Sequence, residues 1–181
     1  MHGEHGGFGA AKPEFHDSGS LDACSKCENV SCCGRKGWTI TPPYLTSRDV
    51  ARIAQRTGLE ADNFSDVVMN PHTGNAVRFL KASAKEGCHF LEAGKCKIHD
   101  SRPVDCRLFP LDMKQIGGEL KWVIYNYQHC ELSERDTGLL VEQIAPALDI
   151  LAGELLDYAT VPLPAMTEIK YKVLMPVAIV S

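Results

Sequence analysis

Eight cysteines are the residues of this 181-residue chain whose type and spacing can do chemistry. Cys24, Cys27, Cys32 and Cys33 form a compact C-x2-C-x4-C-C run. Cys88, Cys96, Cys106 and Cys130 form a second quartet spread over positions 88 to 130. A C-x2-C turn lets two thiolates converge on one ion while neighbouring backbone N–H groups point at the sulfurs. The side chains of adjacent Cys32 and Cys33 tend to diverge, which leaves one for a second site or as a separate thiol. Soft thiolates select zinc, Cu(I) or iron–sulfur clusters over magnesium or calcium. Two blander readings compete, disulfides and inert buried thiols. Core cysteines scattered by packing would not cluster as the first quartet does. A disulfide scaffold is shorter, secreted and denser in Cys. The pattern therefore predicts metal ligation, with all eight cysteines as candidate ligands.

Other polar residues accompany the cysteines. His89, His99 and His129 each sit within three residues of one. Imidazole is an alternative metal ligand, and the competing reading is packing or a hydrogen bond to a ligand. Arg102-Pro103 and Arg107 bracket Cys106. Pro103 predicts the first turn of a helix, whose N–H groups and dipole favour an anionic thiolate. Arg102 and Arg107 are candidate contacts to a bound cofactor. Arg107 can donate to a sulfur or clamp a carboxylate, or else pair structurally with Asp100, Asp105 or Asp112. Asp105 reads as an acceptor for a ligand or for His99. Trp122, Tyr125 and Tyr127 lead into His129-Cys130, either shielding a site from water or simply filling the core.

The elements that must carry these residues read as an α+β fold, one small domain with short antiparallel hairpins and several helices around the cysteines. Residues 1–22 are Gly- and His-rich without apolar periodicity and read as a flexible lead-in. The metal-binding domain is expected over 23–160 and a C-terminal tail, packed on it or extended, over 161–181. Thr46 through Asp49 reads as a capping box, and Val50, Ile53, Ala54 and Thr57 give a helix over about 47–57 closed by Gly58. Arg48, Arg52 and Arg56 fall on its other face, which reads as solvated, the competing reading being that they hold an acidic partner or ligand. A second helix is predicted over 60–69, and a strand over Val77 to Leu80. Glu92 to Lys95 is a hairpin turn between Cys88–Leu91 and Cys96–His99. Gly117-Gly118 is a second turn, between Leu108–Gln115 and Glu119–Tyr125. Gly138 to Tyr158 reads as one helix kinked at Pro146, and Ile169 to Leu174 as a last strand.

Composition closes off other classes. A net charge of −4 argues against nucleic acid as a partner. No apolar run approaches a membrane span, so no membrane partner is expected. The N-terminus has neither a basic nor an apolar leader region, which points to the cytoplasm, where thiols stay reduced. P-loop, dinucleotide, nucleophile-elbow and H-E-x-x-H patterns are absent from the sequence.

Four stretches then form a recognisable series. They are the CxxC start with its Cys-Cys pair, Cys88-His89-Phe90-Leu91, Gly94-Lys95-Cys96-Lys97-Ile98-His99, and Arg102-Pro103-Val104-Asp105-Cys106-Arg107-Leu108-Phe109-Pro110. Over about 24–130 the chain resembles the YkgJ-type cysteine-cluster family, described as zinc- or iron-chelating. It departs from that pattern in having four residues, not two, between Cys27 and Cys32. Members of the family are often labelled iron–sulfur proteins, and a flagellin lysine N-methylase carries a similar cluster. With the all-thiolate set, the resemblance implies an iron–sulfur cluster, [4Fe–4S] foremost, serving electron transfer or a partner enzyme. Zinc in a binding module without catalysis is the alternative. A metal-dependent enzyme of unknown substrate, with Cys32 or Cys33 reactive, is the third reading. A protein partner is compatible with all three.

Overall fold

A computed structural model describes residues 42–83, 87–93, 95–126, 132–162 and 170–178. Cys24, Cys27, Cys32, Cys33, Tyr127, His129 and Cys130 lie outside the described residues, as does the 1–22 segment. Within them the chain is α+β, as expected.

Strand β1 (Tyr44–Leu45) leads into helix α1 (Ser47–Thr57). The capping box is present in both directions: the Thr46 hydroxyl accepts from the Asp49 N–H, and the Asp49 carboxylate accepts from the Thr46 N–H. Gly58, at φ 72°, closes the helix in the left-handed conformation that glycine adopts without penalty. The predicted second helix is corrected. Only Ala61–Phe64 is helical (α2), and Ser65–Met69 is strand β2. The β-branched pair Val67-Val68 suits a strand, and tertiary pairing decides it. β2 runs antiparallel to β3 (Ala76–Leu80) over its whole length, from Ser65 opposite Leu80 to Met69 opposite Ala76.

Strands β1, β3 and β2, in that order, form a sheet that partitions the molecule. Successive strand residues point to opposite faces. Tyr44, Val77 and Phe79 enter one apolar cluster, and their neighbours Leu45 and Leu80 enter another. The first cluster joins Val104, Leu108, Leu111, Trp122, Ala147, Leu151 and Tyr158. The second joins Ile53, Phe64, Phe90 and Ile98, with Cys88 and Cys96 packed against it.

Beyond β3 the chain makes the small strands that carry two cysteines. β4 (Ala82–Ser83) pairs with β5 (Gly87–Cys88), and β6 (Leu91–Glu92) with β7 (Lys95–Cys96). The expected hairpin exists but is shorter, because Cys88 belongs to the neighbouring pair and His99 opens a 3-10 turn, His99–Ser101. Helix α3 (Val104–Leu108) displaces the start of the next strand to Leu111. β8 (Leu111–Ile116) and β9 (Glu119–Tyr125) then form the predicted hairpin, with Gly117 and Gly118 at φ 63° and 85° in a two-residue turn. β10 (Tyr171–Pro176) adds to the far side of β9 with a bulge between Val173 and Met175.

The single kinked helix is also corrected. There are three helices: α4 (Glu134–Glu142), α5 (Ile144–Leu151) and α6 (Leu155–Thr160). The break falls at Gln143, not at Pro146. Pro146 sits in the first turn of α5, where an N–H has no intrahelical acceptor to lose. Gly153, at φ 87°, separates α5 from α6. Polar contacts tie these helices to α1. Glu154 accepts from the Tyr44 hydroxyl (3.0 Å) and from the Ser47 N–H and hydroxyl (2.9 and 2.7 Å). Asp157 clasps the β2–β3 turn through Asn70, Thr73 and Asn75. Among the described residues no helix is long and apolar enough to cross a membrane.

Inside the first core lies a network of acids and tyrosines. Asp105 accepts from the Tyr44 N–H (2.8 Å) and the Tyr158 hydroxyl (2.9 Å). Asp112 accepts from the Tyr125 hydroxyl (2.8 Å). Burial, with the Asp112 charge next, pushes the Asp105 carboxyl up to about 7. Burial likewise raises Asp112. Both groups thus hold a proton more tightly folded than unfolded. The stability they supply is full below the ordinary aspartate value of about 3.9. It is lost as pH rises from there through about 7. Asp112→Asn should flatten that decline, since it removes one titrating group and the charge that raises Asp105. Urea unfolding across the interval reads this directly, and a decline as steep as the parent's would refute it.

Candidate metal centre

Of the predicted ligands, the described residues include Cys88, Cys96 and Cys106. All three are reduced and half-buried. Cys88 ends β5 and Cys96 ends β7. The β6–β7 hairpin folds the two back onto the same apolar cluster, close enough that the charge of one is felt at the other. Burial pushes the Cys88 thiol above its usual range. A hydrogen bond from the Phe90 N–H works in the opposite direction, and Cys96 adds a further upward push as a like charge. Two such thiolates side by side need a compensating positive charge, which a bound metal supplies. Cys106 is carried on α3. Among the described residues no three His, Cys, Asp or Glu side chains converge as a metal site. The donor chemistry of the described thiols fits zinc or iron.

Three side chains fix the segment that presents Cys106. Asp49 is fully buried and reaches beyond its own helix to accept from the Val104 N–H at the start of α3 (3.2 Å). That N–H is one of the donors a helix start leaves without an intrahelical partner. Arg52 pairs with Asp49 and also donates to the Arg102 carbonyl at 2.9 Å. Arg107 donates to the Arg102 carbonyl at 3.1 Å and to the Asp100 carbonyl at 2.8 Å. The turn from Asp100 to Val104 is thereby strapped from both sides. Burial raises the Asp49 carboxyl, and Arg52 with the Thr46 and Val104 hydrogen bonds pulls it back.

Several residues differ from their sequence reading. Asp105 does not serve His99: its oxygens face Tyr44 and Tyr158 in the core. The reason is the helical turn at α3, which sends adjacent residues in different directions. His99 instead meets the Arg102 guanidinium, with Asp100 at 3.7 Å from its other nitrogen. His89 is exposed and stands edge-on to Phe90. Trp122 is fully buried in the first core, away from the cysteine-bearing cluster. Arg52 is not on a solvated face, because it lies between Asp49 and the Arg102 carbonyl. The roles of Asp49 and Arg52 in holding the Cys106 segment were missed in sequence. The only local signal was their i, i+3 spacing.

Residues 23–131, more than half of the chain, match the family described as "CxxCxxCC: Putative zinc- or iron-chelating domain". The chain belongs to this CxxCxxCC family. The match spans all eight cysteines and supports metal binding of the zinc or iron class. No solved structure matches the chain.

The strap makes a stability prediction for this CxxCxxCC domain. Asp49→Ala leaves the Thr46 and Val104 donors and the Arg52 cation without their acceptor. It should lower the unfolding free energy by about 3 kcal/mol, near the lower end for breaking a buried pair because Arg52 keeps access to water. It should also weaken metal retention, since α3 loses its anchor. Chemical denaturation and metal analysis check both, and a change under about 0.5 kcal/mol would show the strap to be dispensable.

Proposed function

We propose that the cysteine quartets hold an iron–sulfur cluster, [4Fe–4S] foremost, used for electron transfer or in support of a partner enzyme. The observation that carries this reading is the donor set. Every predicted ligand is a thiol, and two of them, Cys88 and Cys96, are half-buried against one apolar cluster. Thiolates hold such clusters, and burial and hydrogen bonds to the sulfurs tune their potential. When bound, the cluster would supply one-electron chemistry. The chain's own contribution would be to position the thiols and limit water around them. Cys24, Cys27, Cys32, Cys33, Cys106 and Cys130 complete the proposed ligand set. Arg102 and Arg107, on either side of Cys106, would place positive charge near the anionic sulfurs.

A second reading, a zinc-stabilised binding module, draws on the shortness of the β6–β7 hairpin. Cys96 fixed by so tight a turn, with Cys88 in the strand pair just before it, also suits a closed tetrahedral site. Purification without oxygen separates the two. The iron–sulfur reading expects brown protein carrying iron and acid-labile sulfide, with broad visible absorption that bleaches on reduction. Cys96→Ser should lower both contents. Colourless protein holding stoichiometric zinc would overturn it.

A further inference from the structure

The residues that follow Cys88 and Cys96 form one side of a cavity of about 380 Å³, a size that suits a small-molecule ligand. His89-Phe90 comes from one strand connection and Lys97-Ile98 from the other. The Lys97 N–H donates to the Phe90 carbonyl at 2.9 Å, which ties the two together. The end of α1 forms the opposite side, through Arg56, Thr57 and Leu59. The lining separates by chemistry. Leu59, Phe90 and Ile98 are apolar, whereas Arg56 and Lys97 bring cations and His89 an imidazole. Among the described residues no carboxylate lines the cavity. Among the described residues the Arg56 side chain makes neither a hydrogen bond nor an ion pair. Lys97 pairs with Glu92, but both are exposed and such a pair is worth little. The Thr57 hydroxyl is already engaged, donating to the Ile53 carbonyl and accepting from the Leu59 N–H.

We propose that this cavity binds a small carboxylate with an apolar body. The carboxylate would sit between Arg56 and Lys97, and the hydrocarbon against Leu59, Phe90 and Ile98. Two cations without a buried counter-charge favour an anion. The apolar lining favours a carboxylate with hydrocarbon attached over a bare inorganic anion. The ligand would lie beside Cys88 and Cys96 whichever metal they hold.

Calorimetric titration of the full-length protein, as purified, with benzoate tests this. Benzoate should bind saturably at one site. Benzyl alcohol, which lacks the charge, and inorganic phosphate, which lacks the apolar body, should each bind at least about tenfold more weakly. Arg56→Gln and Lys97→Gln should each weaken benzoate about tenfold. Both residues are exposed, so circular dichroism should show an unchanged fold. Glu92→Gln releases Lys97 from its pair and should tighten binding. Absence of saturation would overturn the proposal. So would equal affinity for phosphate or benzyl alcohol, or indifference to all three substitutions.

Discussion

The carboxylate of Asp49 takes hydrogen bonds from the start of its own helix, from Arg52, and from the Val104 N–H across 55 residues of sequence. These donors need an acceptor, because helix starts leave N–H groups that burial would otherwise strand. One buried group thus caps α1 and α3 together. The position of α3 sets that of Cys106, and the Arg52 and Arg107 contacts to the Arg102 carbonyl set the turn before it. The R-P-V-D-C-R segment owes its shape to partners from α1 as much as to its own sequence.

A second constraint is the sheet of β1, β3 and β2. Its alternation sends Tyr44 and Phe79 into the core of helices and long strands, and Leu45 and Leu80 into the core beneath the cysteine hairpins. The two environments are chemically distinct. One contains the acid–tyrosine network of Asp105, Asp112, Tyr125 and Tyr158. The other is apolar and meets Cys88 and Cys96. Burial in such a setting disfavours a lone thiolate and so makes a compensating cation more important. Glu154 holds Tyr44 and Ser47, and Asp157 holds Asn70 at the end of β2, so the two acids lock the helices to the sheet.

Local signals made much of this legible. The capping box at Thr46, the glycine stop at Gly58, and the Gly117-Gly118 turn are chemistry confined to a few residues, and the fold uses all of them. What escaped was decided by long-range contact. Ser65 to Met69 looks helical by continuity with α2, but pairing with β3 makes it a strand. Gln143, not Pro146, breaks the helical run, because proline is tolerated in a first turn. The same holds near the cysteines. The series Cys88, Cys96, Cys106 is evident in sequence. That Asp105 turns into the core, and that Arg52 reaches the Arg102 carbonyl, depends on residues some 50 positions apart meeting in space.

X-ray absorption at the metal edge of anaerobically prepared protein bears most directly on the claim that these thiols hold an iron–sulfur cluster. The expected result is an iron edge, a first shell made of sulfur alone, and a further shell from neighbouring iron atoms. A zinc edge, or an iron shell of nitrogen and oxygen without metal–metal scattering, would contradict it.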